Sequence, residues 1–159
     1  MANHELDILL VEDNPDDVEL TLRALRQHKL ANHIEVARDG EEALDFLFCR
    51  GLHAKRTFDH PPRLVLLDLK LPKVDGLEVL RALKSDDRTR AIPVVILTSS
   101  REEKDMVSSY KLGVNAYIQK PVDFKQFSEM VESAGLFWLV VNQPPPRSAF
   151  VPPGEEPSA

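Results

Sequence analysis

Three carboxylates, a hydroxyl and an ammonium stand at the ends of short aliphatic runs. Ile8-Leu9-Leu10-Val11 leads into Glu12-Asp13, Leu64-Val65-Leu66-Leu67 into Asp68, Val94-Val95-Ile96-Leu97 into Thr98-Ser99, and Ala116-Tyr117-Ile118-Gln119 into Lys120-Pro121. Clustered carboxylates repel one another, so a hard divalent cation is their natural occupant. Mg2+ prefers oxygen ligands, keeps several waters and takes its remaining ligands from phosphate. A carboxylate beside such a cation is a competent nucleophile toward phosphorus and gives an aspartyl-phosphate. Charge on the transferring phosphoryl oxygens then needs the metal, an ammonium and a hydroxyl donor, and Lys120 and Thr98 match the last two roles. Each residue alone has a plainer reading: a helix-capping acid pair, a solvated turn Asp, a capping Thr, a surface Lys. Solvation does not require one such group at the end of four aliphatic strands.

The elements that must position these groups are legible from periodicity. A continuous apolar run reads as a strand buried on both faces, as in a parallel sheet covered by helices. Ile34 and Val36 alternate in a weaker strand closed by Asp39-Gly40. Asn14-Pro15-Asp16-Asp17 gives a turn, a Pro near the helix start and acids suited to a helix N-terminus, and Val18, Leu22 and Leu25 place a helix over about 16–28. Ala43, Leu44, Leu47 and Phe48 form the apolar face of a second helix. Pro72 and Asp75-Gly76 break the chain before a third, over about 76–84, with Leu77, Leu80 and Leu83 on one side. A charged helix with Met106 and Val107 closes at Gly113, and a last one begins near Asp123 with Phe127, Met130, Val131 and Ala134. Strands alternate with helices five times, which predicts an α/β fold with a doubly wound, five-stranded parallel sheet. Right-handed crossovers place the carboxyl ends of all strands along one edge, where open α/β folds build their sites.

The chain has 159 residues, enough for one domain with a real core, and its 43% hydrophobic and 29% charged content is ordinary for a soluble protein. A net charge of −6 argues against a dedicated nucleic-acid binder. One cysteine, Cys49, fits a reducing cytosol. No signal peptide is visible in residues 1–7, and the apolar run 136–141 is far too short to cross a bilayer. The expected setting is cytoplasmic, without membrane or nucleic-acid partners. Residues 49–62 form a long polar, basic connection, read as a solvated loop. Six of the 12 prolines crowd into the last 18 residues, so the domain is expected over 1–142, with 143–159 a disordered or extended tail.

Taken together, the acidic pair Glu12-Asp13, Asp68, Thr98, Tyr117 and Lys120-Pro121 resemble the receiver domain of two-component response regulators over roughly residues 6–136. The spacings, 30 residues from Asp68 to Thr98 and 22 from Thr98 to Lys120, agree with that family. The resemblance implies a flavodoxin-like (β/α)5 receiver fold and a phosphoryl group accepted on Asp68 from a sensor histidine kinase. It implies Mg2+ held by Asp13 directly, Glu12 mostly through water, Asp68, and the backbone carbonyl of Lys70. It gives the phosphoryl oxygens to Thr98 Oγ1, the Ser99 amide and Lys120, and places Lys70 and Ser100 beside the path of the hydrolytic water. It also implies a cis Lys120-Pro121 bond, and a Tyr117 that follows Thr98 when phosphate draws the hydroxyl inward. The segment between Asp13 and Asp68 is longer than the family's.

No effector domain follows the expected receiver, so output is expected through another protein, self-association or onward phosphate transfer. One helix cannot bury Leu136, Phe137, Trp138, Leu139 and Val140 on a single face, which points to an isologous homodimer interface there. That run, the prolines after it and the long middle connection are similar to single-domain regulators paired with bacterial phytochrome histidine kinases. Two other readings compete. A phosphohydrolase of the haloacid dehalogenase type would want an Asp two residues after the nucleophile, where this chain has Lys70. A degenerate receiver serving only as a binding module would lack the acidic pair or Lys120. The expected protein is therefore no enzyme toward outside substrates; it catalyses only its own phosphorylation and dephosphorylation.

Overall fold

In a computed structural model, the described residues are 6, 8–27, 33–99, 101–120, 123–135, 143–152 and 154–156. Five strands, β1 (Ile8–Val11), β2 (Ile34–Ala37), β3 (Leu64–Leu67), β4 (Val94–Thr98) and β5 (Ala116–Gln119), alternate with helices α1 (Pro15–Gln27), α2 (Gly40–Leu47), α3 (Gly76–Lys84), α4 (Glu103–Lys111) and α5 (Phe124–Gly135). The strands form one sheet in the order β2-β1-β3-β4-β5, every pairing parallel. This is the doubly wound, flavodoxin-like arrangement expected from the alternation of apolar runs. The chain leaves the sheet centre in opposite directions from β1 and β3, and the crevice between their carboxyl ends is the topological switch point.

The aliphatic runs are unbroken because each strand faces helices on both sides. Leu9, Val11, Val65, Leu67, Val94 and Ile96 pack against α2 and α3 through Ala43, Phe46, Leu47, Val79, Leu80 and Leu83. The alternate residues Ile8, Leu10, Leu64, Leu66, Val95 and Leu97 pack against α1 and α5 through Val18, Leu25, Phe127 and Val131. Burial of each such side chain stabilises the fold by roughly 1.5–3 kcal/mol. The sheet is thus a rigid plate whose carboxyl edge holds its residues in fixed register.

Helix starts are set by side-chain caps. Asn14 Oδ1 accepts from the N–H of Asp16 at 2.9 Å, Asp39 Oδ1 from Glu42 at 2.7 Å and Asp75 Oδ1 from Glu78 at 3.0 Å. Gly76 at the start of α3 is required by space: a Cβ there would lie 2.2 Å from the Asp68 carbonyl oxygen.

Two segments are more structured than their composition suggests. The 49–62 connection contains a 3-10 turn, Gly51–His53, and buries Asp59. The Arg56 guanidinium stacks on the Phe46 ring, 3.8 Å from its centroid, and donates to the carbonyls of Phe46 and His60. In the proline-rich segment, Arg147–Phe150 forms a second 3-10 turn. Phe150 is only 3% exposed in the α2–α3 side of the core, and Arg147 donates to Asp59 at 2.8 Å. Within 143–152, expected as part of a disordered or extended tail, Phe150 packs into the core and anchors a stretch of otherwise poor core formers. The expected interface residues Leu136, Phe137, Trp138, Leu139 and Val140 lie outside the described residues, as do Ser100 and Pro121.

Candidate functional site

Register brings the acidic residues together. Val11 pairs with Leu67 between β1 and β3, so Glu12 and Asp68 leave adjacent rungs side by side, and the Asp68 N–H donates to the Val11 carbonyl at 3.0 Å. Glu12, Asp13 and Asp68 each offer a carboxylate oxygen within 4.8 Å of the others'. Glu12 and Asp68 are buried, at 2% and 7% exposure, while Asp13 faces solvent. An all-oxygen set with one open side suits a hard divalent cation that keeps waters and shares a phosphate oxygen.

Two further strands complete the rim. Thr98 pairs with Gln119 between β4 and β5, which places Lys120 next along β5, its N–H donating to the Thr98 carbonyl at 2.7 Å. The Thr98 hydroxyl donates to Asp68 Oδ1 at 2.7 Å, and the Lys70 N–H approaches the same oxygen at 3.3 Å. The Lys120 ammonium, nearly buried, meets Asp68 Oδ2 at 3.3 Å, Asp17 Oδ2 at 2.9 Å and Glu12 Oε1. One ammonium thus holds three carboxylates, and the fourth, Asp13, stands beside them.

Burial and that excess of negative charge together set the electrostatics. Burial, then the hydrogen bond with Asp68 and its charge, push the Glu12 carboxyl up to about 8, although Lys120 pulls the other way. For Asp68, burial acts upward, but the hydrogen bond with Glu12, the Lys120 charge, the Thr98 hydroxyl and the Lys70 N–H outweigh it and hold the carboxyl low. Burial disfavours the Lys120 ammonium, yet Asp68, Glu12 and Asp17 raise its pKa on balance. The Glu12 carboxyl is thus held high and the Asp68 carboxyl low, so of the two Asp68 is the more readily ionised.

Among the residues expected from sequence, Glu12, Asp13, Asp68, Thr98 and Lys120 converge. Ser99 is exposed directly after Thr98. Tyr117 is half-buried on β5, opposite Ile96, against the α2–α3 side of the core. The Thr98 hydroxyl points at Asp68, because that carboxylate is an acceptor strong enough to orient it. One point differs from expectation. Asp17, read as a helix N-terminal acid, belongs to the site. It lies four residues after Asp13, on the first turn of α1 where it meets Lys120, and that spacing was its only signal. A cleft of about 860 Å³ at the opposite, amino edge, lined by Arg56, His60, Arg63 and Arg147, includes none of these residues.

Comparison with known proteins agrees with this geometry. The profile of the response regulator receiver domain matches residues 8–132. Response regulator Rcp1 of Synechocystis sp. is 40% identical over 134 residues, covering 83% of this chain and 88% of that protein. The Mn(2+)-bound form of response regulator Rcp1 superposes with a TM-score of 0.81 at 38% identity, covering 88% of this chain and 99% of that one. The phosphorylated cyanobacterial phytochrome response regulator RcpA gives a TM-score of 0.82 at 40% identity, over 89% of this chain and 99% of that one. The bacteriophytochrome response regulator RtBRR is 56% identical, with a TM-score of 0.70 over 90% of this chain and 86% of that one. Fold, rim and relatives agree: the chain belongs to the response regulator receiver domain family and stands close to the phytochrome response regulators.

Proposed function

We propose that the Asp68 carboxylate accepts a phosphoryl group from the phosphohistidine of a sensor histidine kinase. A carboxylate oxygen attacks phosphorus, the P–N bond breaks, and its electron pair stays on the imidazole nitrogen. The observation that carries this reading is the set of groups around one ionised carboxylate: Glu12 and Asp13 within 4.8 Å and the Thr98 hydroxyl and Lys120 ammonium in contact. Asp13, Asp68, the Lys70 carbonyl and, through water, Glu12 would hold an Mg2+, which would supply neutralisation of charge on the phosphoryl oxygens. The Thr98 hydroxyl and Ser99 amide take one phosphoryl oxygen and Lys120 another. With Asp68 modified, Lys120 gives up its carboxylate contact for a phosphoryl oxygen, and Tyr117 shifts with β4 and β5 so that α4, β5 and α5 present a changed surface. Hydrolysis returns the carboxylate: water attacks phosphorus, the P–O bond to Asp68 breaks, and inorganic phosphate leaves.

The likeness to RcpA and RtBRR supports a bacterial phytochrome kinase as the donor, with the chain working in the cytoplasm. Self-association through Leu136, Phe137, Trp138, Leu139 and Val140 supplies the output, as a homodimer. Light scattering of a Trp138→Ala/Leu139→Ala variant tests this: the monomer mass is expected, and an unchanged dimer mass removes the interface.

Acetyl phosphate with Mg2+, followed by intact mass and phosphate release, tests the phosphoryl reading. A single adduct of one phosphoryl group with slow phosphate release is expected. Sustained turnover would instead favour a phosphohydrolase, and no adduct a binding module.

A further inference from the structure

We propose that Lys70 is a positioning residue shared between the phosphoryl site and the first turn of α4, so that phosphorylation of Asp68 takes its ammonium away from α4. The inference rests on Asp68 being the phosphoacceptor. Lys70 belongs to the site through its backbone, whose N–H lies 3.3 Å from Asp68 Oδ1, and to α4 through its side chain. Its ammonium stands 3.5 Å from Asp105 Oδ2 and 4.0 Å from Glu102 Oε1. The partners differ in kind. The Lys70 side chain is 61% exposed and free to swing, whereas the Asp105 side chain is 6% exposed and fixed on its helix.

Glu102 is the N-cap residue of α4 and makes no side-chain cap hydrogen bond. The first turn is instead held by the Glu102 carbonyl, which accepts from the N–H groups of Asp105 and Met106, and by the Ser109 hydroxyl donating to the Asp105 carbonyl. Glu102 also pairs with Lys104 at 3.3 Å, so within this cluster Lys70 contributes chiefly as the cation over Asp105. A phosphoryl group on Asp68 replaces one carboxylate charge by nearly two and puts three acceptor oxygens within one lysine side chain of the same Cα. The ammonium then has a stronger partner, and Asp105 loses a counter-charge where desolvation makes the loss felt. The turn that loosens carries Met106, and Val107 and Tyr110 follow on the same helix, each with a large exposed apolar surface. Phosphorylation is thereby coupled to the α4 surface by a second route, independent of Thr98 and Tyr117.

Linkage makes the coupling reciprocal: whatever frees Lys70 from α4 must favour the phosphoryl state. Fluoroberyllate with Mg2+, a mimic of the phosphoryl group, is titrated into wild type, Asp105→Asn, Lys70→Gln and the double variant. Asp105→Asn is expected to tighten fluoroberyllate about fivefold and Lys70→Gln to weaken it similarly. Asp105→Asn in the Lys70→Gln background is expected to change nothing, because the shared ammonium is gone. Hydrogen exchange at Asp105 and Met106 should rise on fluoroberyllate binding in wild type and be raised already in Lys70→Gln. An Asp105→Asn effect of equal size in both backgrounds, or none in either, overturns the proposal. Wild-type binding that survives in Asp68→Asn would overturn the phosphoacceptor reading, and this inference with it.

Discussion

The Thr98 hydroxyl reaches across from β4 to Asp68 on β3 and donates to Oδ1 at 2.7 Å. Both residues are buried, so this charge-assisted bond forms in a poorly solvated place where it counts. On the proposed phosphoryl transfer to Asp68, a hydroxyl held this way would need little rearrangement to meet a phosphoryl oxygen.

Replacing Thr98 with Val keeps the shape and removes the donor. A hydrogen bond to a charged group contributes about 1.5–3 kcal/mol. Fluoroberyllate affinity in the presence of Mg2+ should fall at least tenfold, while the thermal midpoint moves by only a few degrees. Unchanged affinity in a titration followed by tryptophan fluorescence would mean that Thr98 does not touch the phosphoryl oxygens.

Lys120 is the cation common to Glu12, Asp17 and Asp68. Lys120→Met should destabilise the metal-free protein by about 3 kcal/mol, the cost of leaving buried carboxylates without their partner. Because a divalent cation can stand in for part of the lost charge, Mg2+ should restore more stability to the variant than it gives the wild type. Urea denaturation with and without Mg2+ reads both effects.

Glu12 sets a pH dependence whose sign is fixed. Its carboxyl is pushed from 4.5 up to about 8 in the fold. Between those values the folded protein holds a proton that the unfolded chain has released, so Glu12 lowers metal-free stability as pH rises through that window. Cation binding displaces the proton, so Mg2+ affinity should climb with pH over the same range, by at most about tenfold per unit, and level off above pH 8. Calorimetric titrations in buffers of different ionisation heat would detect the released proton. In Glu12→Gln the slope should vanish.

Gly76 tests how tightly the backbone is drawn in behind the nucleophile. A Cβ there would stand 2.2 Å from the Asp68 carbonyl oxygen, a contact that only backbone movement can relieve. Gly76→Ala should destabilise by about 2 kcal/mol despite the better helix propensity of Ala, and should slow phosphorylation by displacing Asp68. A thermal midpoint at or above wild type would contradict that geometry.

Much of the fold was legible because β1, β3 and β4 are buried on both faces and leave unbroken aliphatic runs that few other structures explain. The edge strands β2 and β5, only partly buried, left weaker traces in Ile34-Glu35-Val36 and Ala116-Tyr117-Ile118. The rim was legible because each strand ends in a group that does chemistry. What sequence left hidden depends on contacts between elements. Asp17 joins the site only because α1 leans its first turn toward Lys120, and Lys70 meets Asp105 only across the β3–α3 and β4–α4 junctions. Phe150 is one aromatic inside a proline-rich stretch. Composition averages over it, and only the cavity that it fills distinguishes an anchor from a tail.

The phosphoryl group is expected on Asp68 and on no other carboxylate. After treatment with acetyl phosphate and Mg2+, borohydride reduction converts a phosphorylated aspartate to homoserine, and peptide mass spectrometry locates it. The modification should appear at position 68 alone and disappear in Asp68→Asn, with the fold of the variant unchanged by circular dichroism. Homoserine at position 13 or 17 in the wild type, or a full phosphoryl adduct in Asp68→Asn, would contradict the account.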